Sequence, residues 1–252
     1  MNWDCDISEE AGVRYLHFGS EWIQGAMRLR KPDALELEYT REMMLGFLLR
    51  DAPWPRAALL VGLGAGSIAK FVRKTAPDCR MTTVEISPQV VACARQFFKL
   101  PEENAHFRIV IDDATNYLAA PRRHVDLIVV DGFDSDAQAG PLDSDAFYAN
   151  CRAHLTRNGV CAINLFGGHR TRFSRSIERI RHAFDDRVLV LPPCASGNVI
   201  AFGVGDDPID TSLEELRERA MTLKSASGLD LRPTLSRLQL THAMPGGRLR
   251  VE

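Results

Sequence analysis

Between residues 57 and 204 the apolar positions gather into short runs separated by longer amphipathic stretches. The runs Ala57–Gly62, Met81–Ile86, Phe107–Ile111, Val125–Val130, Gly159–Leu165, Val188–Leu191 and Val199–Val204 read as strands. Helical patterning fills most of the gaps, at Ser67–Thr75, Pro88–Phe98, Ala114–Ala119, Asp143–Thr156 and Thr171–Phe184. Strands that are apolar throughout, such as Leu127-Ile128-Val129-Val130, suit a parallel sheet covered on both faces. Strand–helix alternation of this kind predicts a doubly wound α/β sheet of seven strands. No helix separates the last two strands, joined by Pro192 to Asn198, so the last strand is expected to run antiparallel.

The two ends of the chain read differently. Val13–Phe18 and Trp22–Leu29 are β-prone runs around Gly19-Ser20, a hairpin signal. Asp33, with Glu36 three residues on, predicts a capped helix that carries Leu37, Met44, Phe47 and Leu48 on one face and ends at Pro53 and Pro55. We therefore expect a small β region over residues 1–32 and a catalytic unit over 33–252. After about residue 206, one helix (Thr211–Leu223) precedes a tail expected to be peripheral.

The chain has 252 residues, 45% of them apolar and 25% charged, the balance of a globular protein rather than a disordered one. A net charge of −2 gives no overall field toward nucleic acid or anionic lipid. The longest apolar run, Ala57 to Ile68, is glycine-broken and far short of the ~20 residues that span a bilayer. The acidic start lacks an apolar signal core, which predicts a cytoplasmic protein. Six cysteines (5, 79, 93, 151, 161, 194) form no CxxC pair and are expected to be reduced and mostly buried. The histidines show no metal-ligand spacing, so no metal is expected, and no P-loop or Gly-x-Ser-x-Gly elbow is present.

Ligands of a doubly wound sheet bind beyond the carboxyl ends of its strands, so the residues after each strand carry the candidate chemistry. Gly62, Gly64 and Gly66 follow the first strand of the alternating region and permit a tight turn into a helix N-terminus. Their GxGxG spacing favours an adenosyl-sulfonium pocket over a dinucleotide. Glu85 ends the second strand, placed to accept the hydroxyls of a ribose. Asp113, after the third, suits an adenine amino group or a helix N-cap. Asp131 directly follows four apolar residues of the fourth strand, where a carboxylate can hold an ammonium or take a proton from an attacking amine. Asp134 is a second candidate for the substrate at the same mouth.

Taken in order, these residues resemble the spermidine synthase (polyamine aminopropyltransferase) family. The likeness rests on the glycine loop, Val84-Glu85-Ile86-Ser87, Asp112-Asp113-Ala114, Asp126 to Asp131, Asp145-Ala146-Phe147-Tyr148 and Leu155 to Gly159. It extends to Trp22 to Met27, to Glu38-Tyr39-Thr40-Arg41-Glu42-Met43-Met44 and to the turn Pro193 to Asn198, covering roughly residues 13 to 204. The resemblance implies a Rossmann-like, S-adenosylmethionine-dependent methyltransferase fold, usually homodimeric. It implies transfer of an aminopropyl group from decarboxylated S-adenosylmethionine to an amine such as putrescine, releasing methylthioadenosine. Carried over by position, Gln24 and Glu85 would face the nucleoside, Asp113 the adenine, and Asp131 the nucleophile, with Tyr39 helping to position it.

Two positions depart from the family pattern. Ala65 stands where the family has an aspartate for the ammonium of the aminopropyl arm, and Thr40 where it has a glutamine after the tyrosine. Ala65 removes a carboxylate that would repel undecarboxylated S-adenosylmethionine. Three readings follow: an aminopropyltransferase, a methyltransferase on the same scaffold, and a non-catalytic nucleoside-binding homologue.

Overall fold

The computed structural model describes residues 5–19, 22–121, 123–132, 140–168, 170–241 and 243–252. The chain opens with β1 (Cys5–Glu10), β2 (Val13–Phe18) and β3 (Gly25–Arg28), a separate antiparallel sheet. Short helices α1 (Glu38–Met43) and α2 (Gly46–Leu49) lead into the alternating region. That region runs β4 (Ala57–Val61), α3 (Ser67–Thr75), β5 (Arg80–Glu85), α4 (Pro88–Phe97), β6 (Phe107–Ile111), α5 (Ala114–Ala119) and β7 (Val125–Val130). It continues with α6 (Asp145–Ala153), β8 (Leu155–Phe166), α7 (Arg170–Ala183), β9 (Val188–Val190) and β10 (Asn198–Val204). The chain closes with β11 (Ile209–Ser212), α8 (Leu213–Ser227), α9 (Arg232–Leu240) and β12 (Arg248–Val251).

The main sheet has seven strands in the order β6-β5-β4-β7-β8-β10-β9. Strands β4 to β8 pair in parallel, and β10 lies antiparallel between β8 and β9. Successive side chains of a strand point to opposite faces, and the core obeys that period. Leu60, Leu127, Val129 and Ala162 join one apolar cluster, while Leu59, Ile128, Val130 and Cys161 join a second across the sheet. The chain winds outward from β4 through β5 to β6, then returns to β7 on the other side. This reversal leaves a crevice at the carboxyl ends of β4 and β7.

The N-terminal sheet has one strand more than the sequence pattern predicts. The polar run Cys5–Glu10 pairs with β2 along its length, through a two-residue turn with Ala11 and Gly12 both at positive φ (49° and 78°). Its solvent-facing carboxylates hide its strand character. The second expected strand shrinks to Gly25–Arg28.

Asp33 does not cap a helix. Helix α1 starts at Glu38, after Leu37, with no side-chain cap. Glu36 instead pairs with Arg28 of β3, and buried Leu35 draws the intervening segment across the core. Helix α6 is shorter than expected, because Val125 pairs with Leu155 and starts β8 earlier.

The segment after residue 206 is not peripheral. Leu216 and Ala220 of α8, Leu235 and Leu238 of α9, and Leu249 and Val251 of β12 join the largest apolar cluster, which covers one face of the sheet. Ser212 and Glu215 form a capping box that starts α8. All six cysteines are free thiols; Cys5 is partly buried and the other five are buried.

Candidate active site

A cavity of about 650 Å³ opens at the crevice, a volume suited to a small molecule. Gln24, Tyr39, Gly62, Gly64, Glu85, Asp113 and Asp131 all line it. Chain segments far apart in sequence thus converge on one space. Asp134 lies outside the described residues.

The tips of β4, β5 and β7 are tied by backbone hydrogen bonds. Gly62 N–H donates to Val84 O, and Asp131 N–H donates to Val61 O, each at 2.9 Å. Gly62 sits at φ 91°, and a Cβ there would stand 2.3 Å from the Asp131 carbonyl oxygen. Only glycine lets these two tips approach so closely. Gly64 likewise turns beneath the backbone oxygen of Gln24. Gly66 takes the left-handed N-cap position of α3 and packs beneath Leu100, away from the cavity lining.

Glu85 is buried at the end of β5. Its carboxylate accepts the N–H groups of Leu63 and Ser87, both at 2.9 Å. Burial raises its pKa, and the backbone donors of Ser87 and Leu63 oppose the shift. Asp113 is the N-cap of α5, its Oδ1 accepting the N–H and Oγ1–H of Thr115 at 2.8 and 2.7 Å. Capping and cavity lining coincide at this residue.

Asp131 holds the opposite side of the cavity. Tyr39 Oη–H donates to its Oδ2 at 3.3 Å, and Asn164 Nδ2–H to its Oδ1 at 2.9 Å. Burial raises the Asp131 pKa above the ordinary aspartate value, while the Asn164 and Tyr39 hydrogen bonds pull it down. Tyr39 is held protonated, its pKa driven well up by burial and then by the Asp131 charge. The carboxylate is thus a fixed acceptor whose proton affinity is higher than that of a free aspartate.

Sequence reasoning missed Asn164. It accepts from Asn198 Nδ2–H at 3.0 Å, and Asn198 in turn accepts from Ser196 Oγ–H at 2.7 Å. The available signal was one amide inside the apolar run Val160–Leu165. A buried polar side chain in a central strand needs partners, and those partners lie at the site.

The two departures from the family pattern have local explanations. Ala65 is 2% exposed and packs with Leu16, Met27, Val90 and Phe98. A Cβ on Gly25 would sit 2.6 Å from that of Ala65, so the small pair lets β3 close on the glycine turn. Thr40 turns its hydroxyl back to Leu37 O at 2.7 Å. Among the described residues, no group of three or more His, Cys, Asp or Glu stands where it could hold a metal ion. No helix among them is long and apolar enough to cross a membrane.

The comparisons with known proteins agree with this geometry. The spermine/spermidine synthase domain family matches residues 37–207. A polyamine aminopropyltransferase of Chromobacterium violaceum is 40% identical over 246 residues, covering 98% of this chain and 93% of that protein. A probable spermidine synthase structure from Corynebacterium glutamicum superposes with a TM-score of 0.69 at 19% identity, covering 90% of this chain and 91% of that one. A spermidine synthase in complex with the transition-state analogue AdoDATO superposes with a TM-score of 0.62 at 20% identity, over 92% and 87%. At such identities the structural likenesses speak for the Rossmann-like fold.

Proposed function

This chain belongs to the spermine/spermidine synthase family, and on that premise we propose that it is an aminopropyltransferase. It moves the aminopropyl group of decarboxylated S-adenosylmethionine to an amine such as putrescine and releases methylthioadenosine. The observation that carries the reading is the Asp131 carboxylate, held in the cavity between Tyr39 and Asn164.

The donor supplies a sulfonium, which makes its adjacent CH2 electrophilic. The nitrogen lone pair of the amine forms the new C–N bond, and the C–S pair leaves to sulfur, giving a neutral thioether. The protein must deliver the amine unprotonated and aligned. Asp131 takes the ammonium proton, and its raised pKa makes it a better base at neutral pH. Tyr39 and Asn164 fix the orientation of that carboxylate, and Asp134 is assigned to the same amine substrate. Glu85 accepts the ribose hydroxyls, Asp113 the adenine amino group, and Gln24 faces the nucleoside. Gly62 and Gly64 let the backbone approach the ligand.

Methyl transfer, the alternative raised by Ala65, is not favoured, because relatives matching nearly the whole chain are named polyamine aminopropyltransferases. The homodimer implied by the family likeness and the cytoplasmic location expected from the sequence belong to the same proposal. Light scattering at twice the chain mass tests the first.

The deciding assay incubates the protein with decarboxylated S-adenosylmethionine and a panel of diamines and follows methylthioadenosine chromatographically. Product with at least one diamine is expected. No product with any of them refutes the reading, and S-adenosylhomocysteine formed from S-adenosylmethionine replaces it with methyl transfer.

A further inference from the structure

The residues after 207 lie beyond the region matched by the family's domain model, yet one of their side chains bonds Glu38, which lines the cavity. Arg237, on α9, makes four hydrogen bonds to two segments that also carry cavity-lining residues, α1 and the turn from Pro192 to Asn198. Its Nη1 donates to Glu42 Oε1 and, at 3.1 Å, to Glu38 Oε1, both on α1. Its Nη2 donates to the carbonyls of Pro192 and Pro193, each at 2.7 Å. Glu38 also accepts the N–H of Ala195 at 3.0 Å through its other oxygen.

These contacts close a ring. Helix α1 carries Tyr39, whose hydroxyl holds one oxygen of Asp131. Asn164 holds the other oxygen, and Asn198 holds Asn164. Asn198 ends the turn that begins at Pro192 and Pro193, and Arg237 returns that turn to α1. A planar guanidinium is suited to such a junction, because its fork of donors engages carboxylates and carbonyls at fixed angles. Glu85 and Asp113 are held by partners outside the ring, namely Leu63, Ser87 and Thr115, and the glycine turn meets it at the close approach of Gly62 to the Asp131 backbone.

We propose that Arg237 is a positioning residue for amine transfer, locking α1 and the Pro192–Asn198 turn so that Tyr39 and Asn164 hold Asp131 in its working orientation. The inference rests on the functional reading given above. A purely structural alternative exists. Glu42 is 2% exposed and its Oε2 has no partner, so Arg237 would then serve only to neutralise a buried carboxylate.

The test separates these roles by removing the cation and the buried charge together. Wild-type protein is first assayed for methylthioadenosine release. Absence of product overturns the functional reading and this inference with it, whereas product makes the remaining outcomes bear on Arg237 alone. In Arg237→Ala/Glu42→Gln no buried charge is left unpaired. The expected result is a kcat lower by on the order of tenfold to a hundredfold. Melting temperature should stay within about 3 °C, and methylthioadenosine affinity by calorimetry within about twofold. Recovery of kcat to within about twofold of wild type overturns the positioning role and leaves neutralisation. Arg237→Lys keeps the charge but not the fork, and so decides the matter should the double variant fail to fold. A reduced kcat at unchanged melting temperature supports the proposal, and wild-type kcat overturns it.

Discussion

The two ends of the cavity are built by different means. At the end proposed for the nucleoside, the glycine turn, Glu85 and Asp113 each follow their own strand, and the two carboxylates accept amides no more than about two dozen residues away. At the amine end, Tyr39, Asp131, Asn164 and Asn198 come from four separate segments and hold one another through side chains. A scaffold of strand tips positions the first end whether or not the second is intact. The second depends on the correct docking of α1, β7, β8 and the turn before β10. Affinity for the donor and the rate of the chemical step are therefore expected to be separable by mutation.

The largest effect is expected from Asp131→Asn, which keeps shape and hydrogen bonding but removes the proton acceptor. Its kcat should fall on the order of 10²–10⁴-fold, while methylthioadenosine affinity stays within about twofold. A parallel loss of affinity in calorimetry would merge the two ends into one unit.

A difference in pH response sharpens the contrast. Burial pushes the Glu42 carboxyl of α1 up to about 7, against an ordinary value of 4.5, despite Arg237; Glu38 adds to the rise and Arg41 opposes it. The folded chain thus binds this proton more tightly than the unfolded chain does. The stabilisation is complete below pH 4.5 and fades as pH rises through about 7. The loss amounts to about 3 kcal/mol. Glu42→Gln should flatten denaturant-derived stability across this window, and an unaltered slope would show that Glu42 does not titrate there.

A smaller effect is expected at the other end. Glu85→Ala should weaken methylthioadenosine binding by about 1–3 kcal/mol, through loss of a charged acceptor. At saturating donor its kcat should remain close to that of the parent chain. An unchanged dissociation constant removes Glu85 from the ribose.

The nucleoside end was legible in the chain for the same reason that it is robust. Strands β4 and β7 announce themselves by apolar runs that lead straight into a glycine and a carboxylate, and β5 and β6 by carboxylates at or just after their ends. The turn into a helix N-terminus was legible at Gly66, but its packing beneath Leu100 was not, because that contact depends on a residue 34 positions on. The Asp33 cap failed because Glu36 found a stronger partner, Arg28, on another strand. Asn164 and Arg237 were overlooked because their partners lie tens to hundreds of positions away. The tail after 206 was underrated because the apolar positions of α8 and α9 reveal their purpose only against the face of the sheet they cover.

The sequence by itself determined the alternation of strands and helices, the parallel order that alternation requires, and the acids and glycines at the strand tips. These follow from periodicity and turn chemistry, which act over a few residues. Only the tertiary structure decided which side chains meet Asp131, what neutralises Glu42, and how the last forty-odd residues cover one face of the sheet. Such contacts arise where the sheet brings distant segments together, and burial then forces each polar group to find a partner among whatever side chains arrive.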